Sequence, residues 1–424
     1  MKASELIRML ECGELDSSLK RVYVTDEAVR EQKPRYIRTA KKFIEQFDDD
    51  RDVIVLSAPG RTEICGNHTD HNNGKVLAAS INLDAIAVAA KSENFVINEK
   101  SEGHSLNVVD ISNLEPKASE YGKSGSMIKG VAARLNNLGY KIGGFDACTT
   151  SDVMGGSGLS SSAAFEVLIG NIISHLYNDG NIDAVEIAKA AQYSENVFFG
   201  KPSGLLDQMA SSVGTFVNID FEDTDKPIIK KIDFDFANSG YSLCIVDTHG
   251  NHSDLTDDYA AVRGEMEAVA KAMGKSVLRE VSFDAFKAQI GSLMQKTNDR
   301  AVLRAMHFFK ENERVDSAVN ALESNSFEEF LNVITDSGRS SFMYNQNVFT
   351  SADPMEQKLS VALCVTDDLL PFGYRVHGGG FAGTIQAFVK NENLEAYRKT
   401  MDDIFGKGSC HVLIIRPVGG TRVI

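Results

Sequence analysis

Glu195 and Asp207 are two carboxylates flanking a tight Lys201-Pro202-Ser203-Gly204 turn. In one site, such a pair serves a metal ion and a base; as two surface acids it does nothing. Upstream, Gly155-Gly156-Ser157-Gly158-Leu159-Ser160-Ser161-Ser162-Ala163 sets glycines and then serines at the start of an apolar run. Glycines let backbone N–H groups approach a ligand, and the free N–H groups and positive dipole end of a helix starting there favour an anion. The stretch is not a Walker loop, because GxxxxGK[ST] is absent, so phosphates are held differently. An ordinary serine N-cap after a glycine turn has the same appearance.

Two further glycine-rich stretches lie far from the first. Ala58 to Gly74 gathers Arg61, Asn67, His68, Asp70 and His71 just after a predicted strand. Asp and Asn accept from sugar hydroxyls while Arg and His donate, which suits a pocket for a polyhydroxylated ligand as well as a solvated turn. The His68-x-x-His71 spacing lacks a nearby third ligand and makes a poor metal site. Gly373 to Gly383 carries Gly378-Gly379-Gly380 beside a strand, the mark of a tight turn or of close approach by backbone or ligand.

The elements that must position these residues alternate between strand and helix. Val53–Ala58, Val76–Ala90, Gly144–Ser151, Tyr241–Asp247, Thr384–Val389 and His411–Arg416 read as strands. Helices are predicted over 36–47, 161–177, 183–199, 205–212, 257–273, 299–322, 327–336 and 355–366. Such mixing over 424 residues predicts an α+β protein. Its domains are expected as an N-terminal extension over 1–34, polar and peripheral, an N-terminal lobe over 35–225 and a C-terminal lobe over 226–424.

Composition narrows the function. The net charge of −15 argues against non-specific nucleic-acid binding, which needs cations to displace phosphate counterions. With no Trp, carbohydrate platforms built on Trp are excluded. The six cysteines form no CxxC element and sit mostly among apolar neighbours, as free thiols do in a reducing compartment. The first residues lack the apolar core of a signal peptide, and no apolar run approaches membrane-spanning length. The expected compartment is the cytoplasm, with neither nucleic acid nor membrane as a partner.

In order and spacing, these motifs resemble those of the GHMP sugar and small-molecule kinases, and among them the galactokinases. The galactokinase motif GRxNxIGEHTDY is similar to Gly60-Arg61-Thr62-Glu63-Ile64-Cys65-Gly66-Asn67-His68-Thr69-Asp70-His71. GxGLSSSA is matched by Gly156 to Ala163, GxMDQ by Gly204-Leu205-Leu206-Asp207-Gln208, and GGGFGG by Gly378 to Gly383. The resemblance implies a two-lobed fold with mixed sheets and the active site in the interlobe cleft. It implies phosphorylation of the anomeric hydroxyl of a sugar, D-galactose first, with ATP as co-substrate and Mg²⁺ as cofactor. Asp207 is implied as catalytic acid/base or charge stabiliser, and Arg61 as the cation that orients it and offsets transition-state charge. Gly156, Ser157, Gly158, Leu159, Ser160, Ser161 and Ser162 are implied as the ATP cradle, and Ser162 with Glu195 as Mg²⁺ ligands. Asn67, His68, Thr69, Asp70, Gly204 and Tyr259 are implied as substrate contacts. Phosphoryl transfer needs such an anion cradle, metal carboxylate, cation and base.

The chain departs from the pattern at several places, among them Asp336 to Met343, a poor match to the family's ESHxSLRxD stretch, which has His where Gly338 sits. Asn67 replaces the motif's Glu, Glu63 its Asn and His71 its Tyr, and Met154 stands where Pro is usual. With an amide in place of the carboxylate at 67, a relaxed preference at the sugar's C6 is expected. A kinase for another galacto-configured sugar (uronic, N-acetylated or pentose) and a non-catalytic galactose-sensing paralogue are the alternatives. The chain is expected as a monomer or weak homodimer.

Overall fold

The computed structural model describes residues 1–153, 158–250 and 255–424. In chain order its strands are β1 Ile54–Cys65, β2 Lys75–Lys91, β3 Val96–Ser101, β4 Leu106–Asp110, β5 Phe145–Ser151, β6 Phe216–Asp220, β7 Ile228–Ile232, β8 Tyr241–Asp247, β9 Tyr374–Val376, β10 Thr384–Lys390, β11 Cys410–Leu413 and β12 Thr421–Arg422. The chain forms two compact units, each drawn from separated segments. This differs from the expected consecutive divisions after residues 34 and 225. The chain instead passes between the units after Arg61, Ala79, Thr215 and Ile415, because β1 and β2 each run through the division.

The first unit comprises Met1–Arg61, Ser80–Thr215 and Arg416–Ile424. Its sheet runs β12-β1-β2-β5-β3-β4. The parallel β3–β5 pair requires a crossover, which carries the helix Ser124–Asn137. That helix packs with Ser161–Tyr177 and Ala184–Tyr193, on both of which Leu206–Val213 also packs. The N-terminal residues are not peripheral. Ala3, Leu6 and Leu10 share one face of the helix Ala3–Glu11, are fully buried, and join a core with Leu19, Val22, Val55, Ile86 and Val88. Their charged neighbours mask this stripe in the composition; the helical period recovers it. The helix predicted from residue 36 begins at Asp26, capped by Thr25, whose side chain accepts from the Ala28 N–H.

Beneath these helices lies a buried ionic knot. The Asp84 carboxylate, fully buried on β2, accepts from Arg35 and Ser57, from the Tyr23 hydroxyl at 2.8 Å and from Arg416 Nη1 at 3.1 Å. Burial opposes its charge, but Arg35 and Arg416 outweigh burial and hold its pKa below the usual carboxylate value. The knot ties both chain ends to β1, four residues before Arg61.

The second unit comprises Thr62–Ala79 and Phe216–Ile415. Lys75–Ala79 of β2 pair with β6, which pairs with β7. A separate antiparallel sheet runs β11-β8-β10-β9. The 25-residue helix Asp299–Glu323 is continuous, and packs on Thr256–Ala272 and Phe327–Ser340. Strands β3, β4, β6 and β7 and the helix Ser124–Asn137 were not foreseen, since their apolar residues are sparse or bury on both faces. Among the described residues, no helix is long and apolar enough to cross a membrane.

Candidate active site

In the first unit, Arg61 sits near the end of β1 behind a glycine that has no room for a side chain: a Cβ on Gly60 would lie 2.8 Å from the Leu159 carbonyl oxygen. That closeness lets the Arg61 N–H donate to Leu159 O at 3.1 Å. The guanidinium reaches further, donating from Nη1 to Gly158 O and from Nε to Asp207 Oδ1 at 2.6 Å. The Ser160 hydroxyl donates to Asp207 Oδ2. Ser160 precedes the helix Ser161–Tyr177 with φ +59°, a left-handed conformation that costs a non-glycine residue about 1 kcal/mol or more. Asp207 lies in the first turn of Leu206–Val213 and is half-buried. Burial pushes its carboxyl up, but the charge and hydrogen bond of Arg61 and the bond from Ser160 bring it below the ordinary carboxylate value. Asp207 is therefore ionised at neutral pH, with both oxygens held by donors from the glycine–serine loop and β1.

A second carboxylate cluster adjoins it. Glu195 lies in the first turn of a π-type helical segment, Ser194–Phe199, a rare geometry found often at functional sites. Its carboxylate accepts from Ser162 Oγ at 3.3 Å, Lys201 Nζ at 3.0 Å and Gln208 Nε2 at 2.8 Å. Glu166 lies one turn beyond Ser162, with Gln208 Nε2 at 3.4 Å from one oxygen and no partner for the other. Burial, then the nearby Glu195 charge, pushes the Glu166 carboxyl up to about 9, so it is neutral at pH 7. A hydroxyl and a carboxylate are hard oxygen donors, and Lys201 already places a cation on Glu195. The residues therefore fit Mg²⁺, which takes one or two protein oxygens alongside phosphate oxygens. A cavity of about 380 Å³ on the same unit is lined by Val108, Val109, Lys117, Ser126 and Lys129 among others. It borders the helix Ser124–Asn137, which packs against the Glu195 segment.

In the second unit, the loop after β1 is held by an inward network. Asn67 is 1% exposed and all its side-chain capacity is used. Its Nδ2 donates to Glu63 Oε1 at 2.9 Å and Gly378 O at 2.7 Å; its Oδ1 accepts from Asn347 Nδ2 at 2.8 Å and Ser341 Oγ at 3.3 Å. His68 donates from Nε2 to Gly379 O at 2.8 Å, and the Tyr259 hydroxyl donates to Gly380 O at 2.9 Å. Gly380 has φ +80°, and a Cβ there would lie 1.9 Å from Asn347 O, so no other residue fits. Beneath the loop, Glu311 accepts from the Gly66 N–H at 3.0 Å, from Ser337 and from Arg314. Burial opposes the Glu311 charge, but Arg314, His307 and Arg375 hold its pKa far below the usual range. His307 donates from Nε2 to Asn67 O at 2.9 Å, and burial lowers its pKa to about 4.

Residues 41–91 match the galactokinase galactose-binding signature, and residues 126–215 match the GHMP kinases N-terminal domain. The chain is 31% identical over 364 residues to a galactokinase of Limosilactobacillus reuteri, covering 83% of this chain and 89% of that protein. A Glaesserella parasuis galactokinase is 32% identical over 365 residues, with 83% and 89% covered.

The chain belongs to the galactokinase family.

Its structure is similar to that of Lactococcus lactis galactokinase complexed with galactose, with TM-score 0.76, 26% identity and coverage of 90% of this chain and 98% of that one. Methanococcus jannaschii mevalonate kinase, at TM-score 0.60 and 15% identity over 87% and 98%, shares the fold. The α+β, GHMP-kinase-like expectation is thereby met.

Against the residues inferred from this family's motifs, the structure brings together Arg61, Asp207, Ser160, Ser162 and Glu195 in one unit, with Gly158 and Leu159 beside them. Ser161 opens the helix that follows, and Gly204 is exposed just ahead of Asp207's helix. Gly156, Ser157 and Met154 lie outside the described residues. Among the sugar-side residues, Asp70 begins a half-buried turn, Asp70–Asn72. Thr69 is fully buried, its hydroxyl spent on Gly66 O at 2.9 Å and Lys75 O at 2.6 Å, so it builds the loop. Asn67, expected to face the ligand, is likewise turned inward. The sequence reading missed Glu63's partner Arg375, Asn347, and the buried polar stripe Arg304, His307, Glu311. The stripe had a signal: polar residues at i, i+3 and i+7 on an otherwise apolar helix face are buried together.

Proposed function

We propose that this chain transfers the γ-phosphoryl group of ATP to the anomeric hydroxyl of D-galactose, releasing galactose 1-phosphate and ADP. The observation that carries the proposal is the ionised Asp207, held by Arg61 and Ser160 against the loop that opens the helix Ser161–Tyr177. An incoming hydroxyl donates to Asp207 Oδ2 in place of Ser160. Because the carboxylate is a weak base, it orients the nucleophile and accepts the proton late, which suits a loose phosphoryl-transfer transition state. Arg61 is placed to offset the charge developing on the transferred oxygens. The free N–H groups at the start of Ser161–Tyr177 take the phosphates. Ser162 and Glu195 would hold Mg²⁺, which when bound neutralises charge on the phosphate oxygens. With Glu195 so engaged, the exposed Lys201 would be available to pair with phosphate. The nucleoside is assigned to the cavity beside Ser126 and Lys129, whose Val108 and Val109 offer an apolar wall. His68, Asp70 and Tyr259 are assigned to the sugar side. The six free thiols support a cytoplasmic setting, and the reaction needs no partner beyond sugar and ATP; a monomer or weak homodimer suffices.

A panel of galactose, N-acetylgalactosamine, galacturonate and L-arabinose, assayed by coupled ADP release, tests this. Galactose is expected to give the highest kcat/KM. Sugar and ATP binding without ADP release from any of the four would overturn it in favour of a sensing paralogue.

A further inference from the structure

The two motif positions where carboxylate and amide depart from the family pattern are in contact. The pattern GRxNxIGE places an amide at position 63 and a carboxylate at 67; this chain has Glu63 and Asn67, bonded to each other at 2.9 Å. The pair thus keeps one negative charge but moves it from the loop onto β1. There it meets Arg375, which is fully buried and donates from Nη2 to Glu63 Oε1 at 3.0 Å and from Nη1 to Ile64 O at 2.9 Å. The amide left at 67 does what no carboxylate does: its one NH₂ group donates to Glu63 and to Gly378 O at once.

We propose that Glu63, Asn67 and Arg375 form an exchanged carboxylate–amide clamp that positions the Gly378–Gly380 loop, and that residue 67 does not read the sugar's C6 group. Asn67 is 1% exposed and has four partners, so a ligand hydroxyl meets no free polar atom on it. The clamp's effect on sugar use rests on the function proposed above; its effect on stability does not.

An isosteric double-mutant cycle separates the possibilities: Asn67→Asp, Glu63→Gln and the two combined, followed by ligand-free melting and by steady-state kinetics. Asn67→Asp sets two carboxylates face to face and loses the Gly378 bond. Its Tm should fall by at least about 5 °C. Its KM for galactose should rise about tenfold or more while kcat stays within about threefold, since Asp207 and Arg61 are untouched. Glu63→Gln alone should also lower Tm, because buried Arg375 loses its counter-charge. In the Asn67→Asp background, however, Glu63→Gln should raise Tm, because the new amide on β1 then donates to the new carboxylate on the loop and the pair regains its single charge. KM should remain raised in the double variant, as Gly378 O still lacks its donor. The galactose to L-arabinose ratio of kcat/KM should stay within about threefold throughout.

Additive Tm losses would show that the positions act independently and would overturn the clamp. A shift of tenfold or more in the sugar ratio on Asn67→Asp would show that position 67 reads C6 and overturn the second half. If wild-type protein phosphorylates none of the sugars, the proposed function fails while the melting cycle still decides the clamp.

Discussion

The phosphate-side and sugar-side residue sets are built on opposite plans. Asp207 and Glu195 are each held by one cation together with neutral hydroxyl or amide donors, and the proposed reaction exchanges Ser160 for an incoming hydroxyl and Lys201 for a metal ion. The Asn67 side chain is fully committed to a backbone carbonyl and to the side chains of Glu63, Ser341 and Asn347, and His68 and His307 each donate to a backbone carbonyl. A site that must neutralise a moving charge keeps a partly exposed ion in each ion pair, Asp207 itself in one and Lys201 in the other. A loop that must present fixed donors to a neutral ligand is held from behind. It follows that substitutions in the first set act on turnover, and in the second on stability and sugar binding.

The severest challenge to that contrast lies at its two central carboxylates. Asp207→Asn should lower kcat about 10²- to 10⁴-fold, because an amide accepts no proton, while Tm changes little. Retention of more than about a tenth of wild-type turnover would remove Asp207 from the chemistry. Glu311→Gln should do the reverse. It leaves Arg314 without its charge partner and weakens the acceptor of the Gly66 N–H, costing about 3–5 kcal/mol of stability in denaturant melts. An unchanged denaturation midpoint would show that the sugar loop is not held from behind.

The metal assignment refines the contrast within the first unit. Glu195→Gln and Ser162→Ala should each raise the Mg²⁺ concentration for half-maximal rate by about tenfold at saturating ATP, more than they weaken sugar binding. Midpoints unchanged from wild type in both variants would dissociate these residues from Mg²⁺.

The smallest effect is in the pH dependence of stability, where the units have opposite slopes. Burial lowers His71 to about 3 and His307 to about 4, below the free value of about 6.5. The unfolded chain binds more protons there, so this contribution is complete above about pH 6.5 and is lost as pH falls towards 4. Glu166 has the reverse sign. Raised to about 9, its contribution is complete below the free value of about 4.5 and is lost as pH rises through 9. Each group changes stability by at most about 1.4 kcal/mol per pH unit within its window. Melting from pH 4 to 9 should therefore show a flatter acid limb in His307→Gln and a flatter alkaline limb in Glu166→Gln. Parallel curves for wild type and both variants would refute the assignment.

Glycine placement, serine spacing and the two carboxylates around Pro202 were legible because each works locally. The lack of room at Gly60 is set by the Leu159 carbonyl, far along the chain, but a helix opening at Ser161 and an acid in a helix's first turn follow from the nearest few residues. So did most strands and helices with a strong single period. The N-terminal segment was misjudged because average polarity hides a stripe of Ala3, Leu6 and Leu10, visible only at helical period. What no local reading supplies is partnership across long separations. Glu63 meets Arg375, His307 meets Asn67 O, and Asp84 meets Arg35 and Arg416, each across a loop of chain whose closure only the packed core pays for. Residue types capable of phosphoryl transfer, and their local frames, were therefore settled along the chain itself. The inward turn of Asn67 was settled by packing. Whether an amide faces a ligand or a buried carboxylate depends on which distant side chains its burial brings within hydrogen-bonding reach, and a buried polar atom left unpaired costs about 1–3 kcal/mol.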